Sequence, residues 1–161
     1  MSKYLFFLLA TAVLFVGCRK RESVVQQQID ELNKKFQEAF LKEDAGGIMS
    51  CYMNDSRIVA MFPDTTVRGY DTVKHQWEKI FSDVNVKEFQ ITESHVFVEG
   101  DAAIEWGFWK AKYQMAAGGS DISVENGRYT QVWSKQNGNW YLVVHHASVP
   151  LPSQAPATTK Q

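Results

Sequence analysis

The 161-residue chain is short of several features at once, and each shortage removes a class of function. Its formal charge is −1, with 17 basic and 18 acidic side chains, so there is no basic field to hold a nucleic acid. No glycine-rich loop cradles a phosphate, and no nucleophile elbow is present. Metal-ligand spacing is missing as well. His145 and His146 are neighbours on an expected strand and point to opposite faces, His75 belongs to an expected helix and His95 to another strand. No cofactor is therefore expected. Of the four prolines, three fall at or after Pro150, which leaves Pro63 alone within the body of the chain.

The longest uncharged, mostly apolar run extends only from Tyr4 to Val16 after Lys3. A bilayer-spanning helix needs roughly 20 residues, so this run suits the apolar region of a secretion signal instead. It ends in Phe15-Val16-Gly17-Cys18, which resembles a bacterial lipobox, where cleavage exposes a cysteine that is then acylated. Residues 1–17 are read as a lipoprotein signal peptide, Cys18 as the lipidation site and residues 18–22 as a tether. Arg19-Lys20-Arg21 would then lie at an anionic membrane surface. The competing reading is an ordinary secreted protein with a stray cysteine. Arginine rather than aspartate after Cys18 points to an outer-membrane lipoprotein facing the periplasm. With Cys18 acylated, Cys51 is the single remaining thiol and no internal disulfide can form. Cys51 is expected to be a small buried apolar residue, since no activating motif surrounds it.

Ser23-Val24-Val25-Gln26 has capping-box form, and Val25, Ile29, Leu32, Phe36, Ala39 and Phe40 follow at helical spacing, predicting a long amphipathic helix to about Lys42. Asp44 is placed to cap a short second helix reaching about Tyr52. Arg57 to Phe62 reads as a strand and Pro63 to Thr66 as a turn. Asp71 to Phe81, with Val73, Trp77 and Ile80 on one face, reads as a third helix. From Lys87 the period becomes strand-like: Glu88 to Val98, Ala102 to Met115, Ser123 to Lys135 and Trp140 to Val149. Glycine-containing turns separate these strands and favour an antiparallel sheet. Residues 150–161, rich in proline and small polar residues, read as a disordered tail. Three helices followed by long hairpin-linked strands imply an α+β domain with helices on one face of a curved sheet.

Four stretches carry a family resemblance in their order and spacing. They are Phe40 to Asp55, Val67-Arg68-Gly69-Tyr70-Asp71, Gly100 to Gly107, and Gly127 to Trp133 with Asn137-Gly138-Asn139-Trp140. Over residues 23–149 the chain resembles the SnoaL-like, ketosteroid isomerase-like branch of the nuclear transport factor two superfamily. The resemblance implies a cone-shaped fold, with three N-terminal helices packed on a strongly curved antiparallel sheet around a pocket, and often a homodimer formed through the sheet. It does not imply one activity, because the fold hosts isomerases, cyclases, dehydratases, hydrolases and plain binding or assembly domains.

A ketosteroid isomerase needs a carboxylate base and acidic hydrogen-bond donors in an apolar pocket. By motif, the family's tyrosine donor falls at Phe36 and its catalytic aspartate at Phe62, and neither can move a proton. The late carboxylic-acid donor falls near Thr130 or Val132. Asp64 is a displaced candidate base, although an aspartate beside proline serves turns more often. Tryptophan after Asn137-Gly138 usually faces the core in relatives, so His146 and Ser148 are expected on the pocket side with His145 outward. A bulge between Trp140 and His146 would exchange them. Glu105, Arg128 and His146 are then expected as a polar cluster, either meeting ligand or pinning strands. Trp77, Trp106, Trp109 and Tyr52 are candidate ligand-lining residues, with ordinary core packing as the alternative. The leading expectation is a lipid-anchored envelope protein that binds a small, mainly apolar molecule. An acid–base enzyme using His146 with Glu105 or Asp64, and a dimeric assembly module, are the alternatives.

Overall fold

The computed structural model describes residues 3–150, with side chains from residue 22 onward. The lipobox with Cys18, the basic tether and the tail beyond Pro150 therefore lie outside the described side chains. Helix α1 runs Lys3–Leu41, α2 Ala45–Met49 and α3 Tyr70–Asp83, and the strands are β1 Val59–Met61, β2 Thr66–Arg68, β3 Val84–Glu99, β4 Ala102–Met115, β5 Ile122–Gln136 and β6 Asn139–Ser148. The helix expected to start at Ser23 is the C-terminal part of the longer α1. Asp44 caps α2 as expected, its carboxylate accepting from the Gly47 amide at 2.9 Å. That helix ends at Met49, short of the predicted Tyr52. Among the described residues, no helix is long and apolar enough to cross a membrane.

One six-stranded sheet has the order β2-β1-β6-β5-β4-β3. The long strands β3 to β6 pair antiparallel, as hairpin turns require, whereas β1 joins β6 in parallel and places Ala60 beside His145 and Met61 beside His146. The short strand β2, of which only Thr66 fell in an expected element, the turn from Pro63, pairs with β1 through Val67 and Ala60.

Four register shifts interrupt the long strands, between Val86 and Glu88, Ile91 and Glu93, Trp109 and Ala111, and Val132 and Trp133. Each bulge bends its strand and increases the local twist, which curves the sheet around α1 and α3. The core fills that concavity. Ile29, Phe36 and Ala39 of α1 and Val73 and Trp77 of α3 pack with Ile48, Met49, Cys51, Trp133, Trp140 and Leu142. Cys51 is fully buried, and burial raises its thiol pKa, as fits a packing residue. Between α1, α3 and the sheet the packing leaves a cavity.

Candidate functional site

The cavity has a volume of about 380 Å³. Its walls are mostly apolar, with aromatic rings from every side: Phe36 and Phe40 from α1, Phe62 after β1, Trp77 from α3, Phe89 from β3 and Trp109 from β4. Of the buried polar side chains among the described residues (Asn33, Glu105, Gln131 and His145), only Gln131 and His145 line it. Charged groups stay at its margin, where Asp64, Lys79 and Asp83 are exposed and Lys79 pairs with Asp83 at 2.6 Å.

His145, not His146, faces this space. Along β6, Trp140 and Leu142 point inward. Val132 then pairs with Val144 while Trp133 pairs with Leu142, so Val143 is an extra residue that no longer opposes a partner. One added residue reverses the alternation, sending His145 and Ala147 inward and His146 and Ser148 to the other face.

Five groups hold the His145 ring. Phe36 stacks on it at 5.8 Å and 16°, and Trp77 meets it edge-on at 5.8 Å and 82°. Phe62 and Tyr52 lie tilted at 6.0 and 6.2 Å, and the Gln131 amide sits 3.3 Å from Nδ1. A charged imidazolium would lose its hydration in this enclosure without gaining a carboxylate, so burial, helped by the nearby His146, pulls the pKa down to about 4. The ring is neutral at physiological pH. Its Nε2 has no hydrogen-bond partner among the described residues, and the Gln131 Oε1 is buried without one.

Glu105 points inward but lies outside the cavity, behind Tyr129. Its side chain is fully buried and accepts four hydrogen bonds. Three go to Oε1, from Asn33 Nδ2 at 2.6 Å, the Tyr129 hydroxyl at 2.7 Å and Ser94 Oγ at 2.9 Å, and Trp133 Nε1 donates to Oε2 at 2.8 Å. Burial raises its pKa, opposed by these donors. The carboxylate thereby ties α1, β3 and β5 to β4, and it fixes Tyr129, whose ring forms part of the cavity wall. The expected cluster of Glu105, Arg128 and His146 does not assemble. Arg128 is exposed, because Gly127, Tyr129, Gln131 and Trp133 form the inward set on β5, and His146 is on the outer face. Thr130 and Val132, expected near the family's acid donor, face outward for the same reason.

The remaining candidates divide. Trp77 and Trp109 line the cavity and Asp64 stands at its margin. Trp109 lies across Gly127, where a Cβ would fall 2.1 Å from the indole, and its Nε1 donates to the Arg128 carbonyl at 3.2 Å. Trp106 is on the opposite face, 47% exposed and stacked on His95 at 4.2 Å. Ser148 pairs across to Arg128 and does not line the cavity. Tyr52 is buried behind His145, and burial raises its hydroxyl pKa.

Phe36 and Phe62, the positions where resemblance places a proton-handling tyrosine and aspartate, are both in the wall as plain rings. Sequence reasoning missed Gln131, Tyr129 and Asn33. Asn33 carried a signal, an amide inside the apolar stripe of α1 between Ile29 and Phe36, which demands a buried partner. Gln131 and Tyr129 could be found only by knowing the face of β5.

The SnoaL-like domain family matches residues 29–152, and the chain belongs to it. Solved structures agree on the fold. A nuclear transport factor 2-like superfamily protein from Salmonella enterica superposes with a TM-score of 0.74 at 20% identity, covering 84% of this chain and 97% of that one. A candidate dehydratase of the NTF2-like family from Streptomyces avermitilis gives 0.65 at 22% identity, covering 78% and 96%. A candidate scytalone dehydratase from Novosphingobium aromaticivorans gives 0.70 at 15% identity, covering 80% and 85%. Among curated proteins none matches.

Proposed function

We propose that this SnoaL-like domain binds a small, mainly apolar molecule in the cone cavity, with His145 and Gln131 taking its polar end. The observation that carries the reading is a mainly apolar cavity of about 380 Å³ in which, among the described residues, the buried polar groups without a full set of partners are those of Gln131 and His145 and the Trp77 indole N–H. Pockets of this size and lining hold small molecules, and a few placed polar groups orient them. Acylated Cys18 would hold the domain in the bacterial envelope, at the outer membrane facing the periplasm. A homodimer through the outer sheet face would cover Phe97, Ile104 and Trp106, which are 55%, 45% and 47% exposed.

A second reading, acid–base catalysis, is favoured by one feature of the site and by two of the similar structures. A neutral imidazole with an unpartnered Nε2 at a cavity wall is suited to proton transfer, and two structurally similar proteins are candidate dehydratases. In that reading His145 takes the role first given to His146, and Glu105 serves only to hold the wall.

Native mass spectrometry followed by denaturation tests the binding reading. A released small molecule that is lost in His145→Ala and retained in His146→Ala supports it. Retention in both variants would contradict it.

A further inference from the structure

We propose that the cavity selects a neutral ligand whose polar end both donates and accepts a hydrogen bond, such as a hydroxyl, and that Gln131 with His145 is the pair that reads it. This deepens the binding reading above and rests on it.

The argument starts from hydrogen-bonding capacity. A glutamine amide offers an acceptor and two donors, and a neutral imidazole offers one of each. Gln131 is 3% exposed and His145 4%, and they meet only through Gln131 Nε2 and His145 Nδ1. With the amide as placed, Nε2 donates to Nδ1, so the imidazole proton is on Nε2. The groups left over are the Gln131 Oε1 acceptor, buried without a partner, the second N–H of the Gln131 amide, and the His145 Nε2–H donor, also without a partner among the described residues. Turning the amide over makes Oε1 accept from Nδ1–H. The groups left over are then the two N–H donors of the Gln131 amide and a bare His145 Nε2 acceptor. Either arrangement presents one acceptor and two N–H donors, and switching between them needs only the amide to turn and the imidazole proton to change nitrogen.

A ligand end that only accepts, such as an ether, leaves one buried group unsatisfied in both arrangements. A hydroxyl, which donates one hydrogen bond and accepts two, can meet the acceptor and the donors in either. Sites built to hydrogen-bond a hydroxyl reject analogues lacking it far more strongly than apolar pockets reject a missing methylene, because the buried partners are stranded. An anion is disfavoured for a separate reason. Among the described residues no charged side chain is buried in the cavity wall, and the charged residues that border it, Asp64, Lys79 and Asp83, are exposed, with Lys79 paired to Asp83.

Four probes on one ring system separate these demands, with binding to the full chain followed by quenching of tryptophan fluorescence at pH 7. 2-Naphthol donates and accepts, 2-methoxynaphthalene accepts only, naphthalene does neither, and 2-naphthoate is an anion. The expected order is 2-naphthol at least tenfold tighter than 2-methoxynaphthalene and naphthalene, with 2-naphthoate weakest. Gln131→Leu should bring 2-naphthol down to the level of 2-methoxynaphthalene while leaving naphthalene within about twofold. Gln131→Glu should weaken 2-naphthoate further. Neutral probes that all bind alike would overturn this proposal and leave the apolar binding site standing. Binding of none of the four would overturn both.

Discussion

Acid should destabilise this protein through His145, and the size of the effect follows from where the ring sits. An unfolded histidine takes up its proton near pH 6.5, whereas the caged ring holds off until about pH 4. Between those values the unfolded state binds more protons than the folded one, so stability rises with pH across the window and is lost as pH falls from 6.5 to 4. The gap in pKa corresponds to roughly 3 kcal/mol of stability, fully present above about pH 7 and lost almost in full by about pH 4. Glu105 acts with the opposite sign. Its raised pKa means the folded state keeps its proton to higher pH than the unfolded chain, so its contribution favours folding at low pH and is lost as pH rises. The wild-type curve therefore mixes two slopes. His145→Phe isolates one of them, because phenylalanine keeps a ring against Phe36 and Trp77 and cannot titrate. Urea unfolding of both proteins at pH 7, 5.5 and 4 gives the difference directly. The wild type should lose about 3 kcal/mol relative to His145→Phe between pH 7 and 4. A difference that stays within about 1 kcal/mol across the range would refute the claim that His145 is buried and neutral.

Other substitutions follow from the same geometry. Glu105→Leu strands four buried donors and should cost upwards of 3 kcal/mol in chemical denaturation, whereas Glu105→Gln, which keeps acceptor capacity, should cost less. Gly127→Ala puts a methyl into the Trp109 indole and should destabilise by about 1–3 kcal/mol while weakening binding of any apolar probe; unchanged stability would mean Trp109 does not lie across this residue. Asp44→Ala removes the α2 cap and should lower stability by about 1 kcal/mol with no change in ligand binding. Arg128→Ala should leave both stability and binding nearly unchanged, since the side chain is exposed.

Helix positions and the inner face of most strands were legible because burial is periodic. Phe36, Phe40 and Trp77 follow the 3.6-residue pattern of α1 and α3, and Ala103, Glu105 and Gly107 alternate on β4 without interruption. What periodicity could not supply was its own breaks. The extra Val143 reverses every side chain after it, and nothing in Trp140 to Ser148 marks it: there is no glycine or proline, only two valines and two histidines that fit either face. The error on His146 and Ser148 came from carrying the parity of Trp140 through that bulge. Arg128 went astray more simply, since its place in the cluster came from the family resemblance, whereas Gly127, Tyr129 and Gln131 are the inward residues of β5 here. Glu105 was placed on the correct face, yet its role depended on Asn33, Tyr129 and Trp133 arriving from two other elements, and such convergence is a property of the tertiary fold.

The most direct test of the account is the ring itself. ¹⁵N chemical shifts of the histidine side chains, assigned with His145→Gln and His146→Gln and followed from pH 8 to 4 with and without 2-naphthol, report protonation and ligand contact together. The account predicts that His145 remains neutral down to about pH 4 and that its Nε2 resonance moves when the probe binds, while that of His146 does not. A His145 that titrates near 6.5, or a probe that shifts His146 and leaves His145 unmoved, would contradict it.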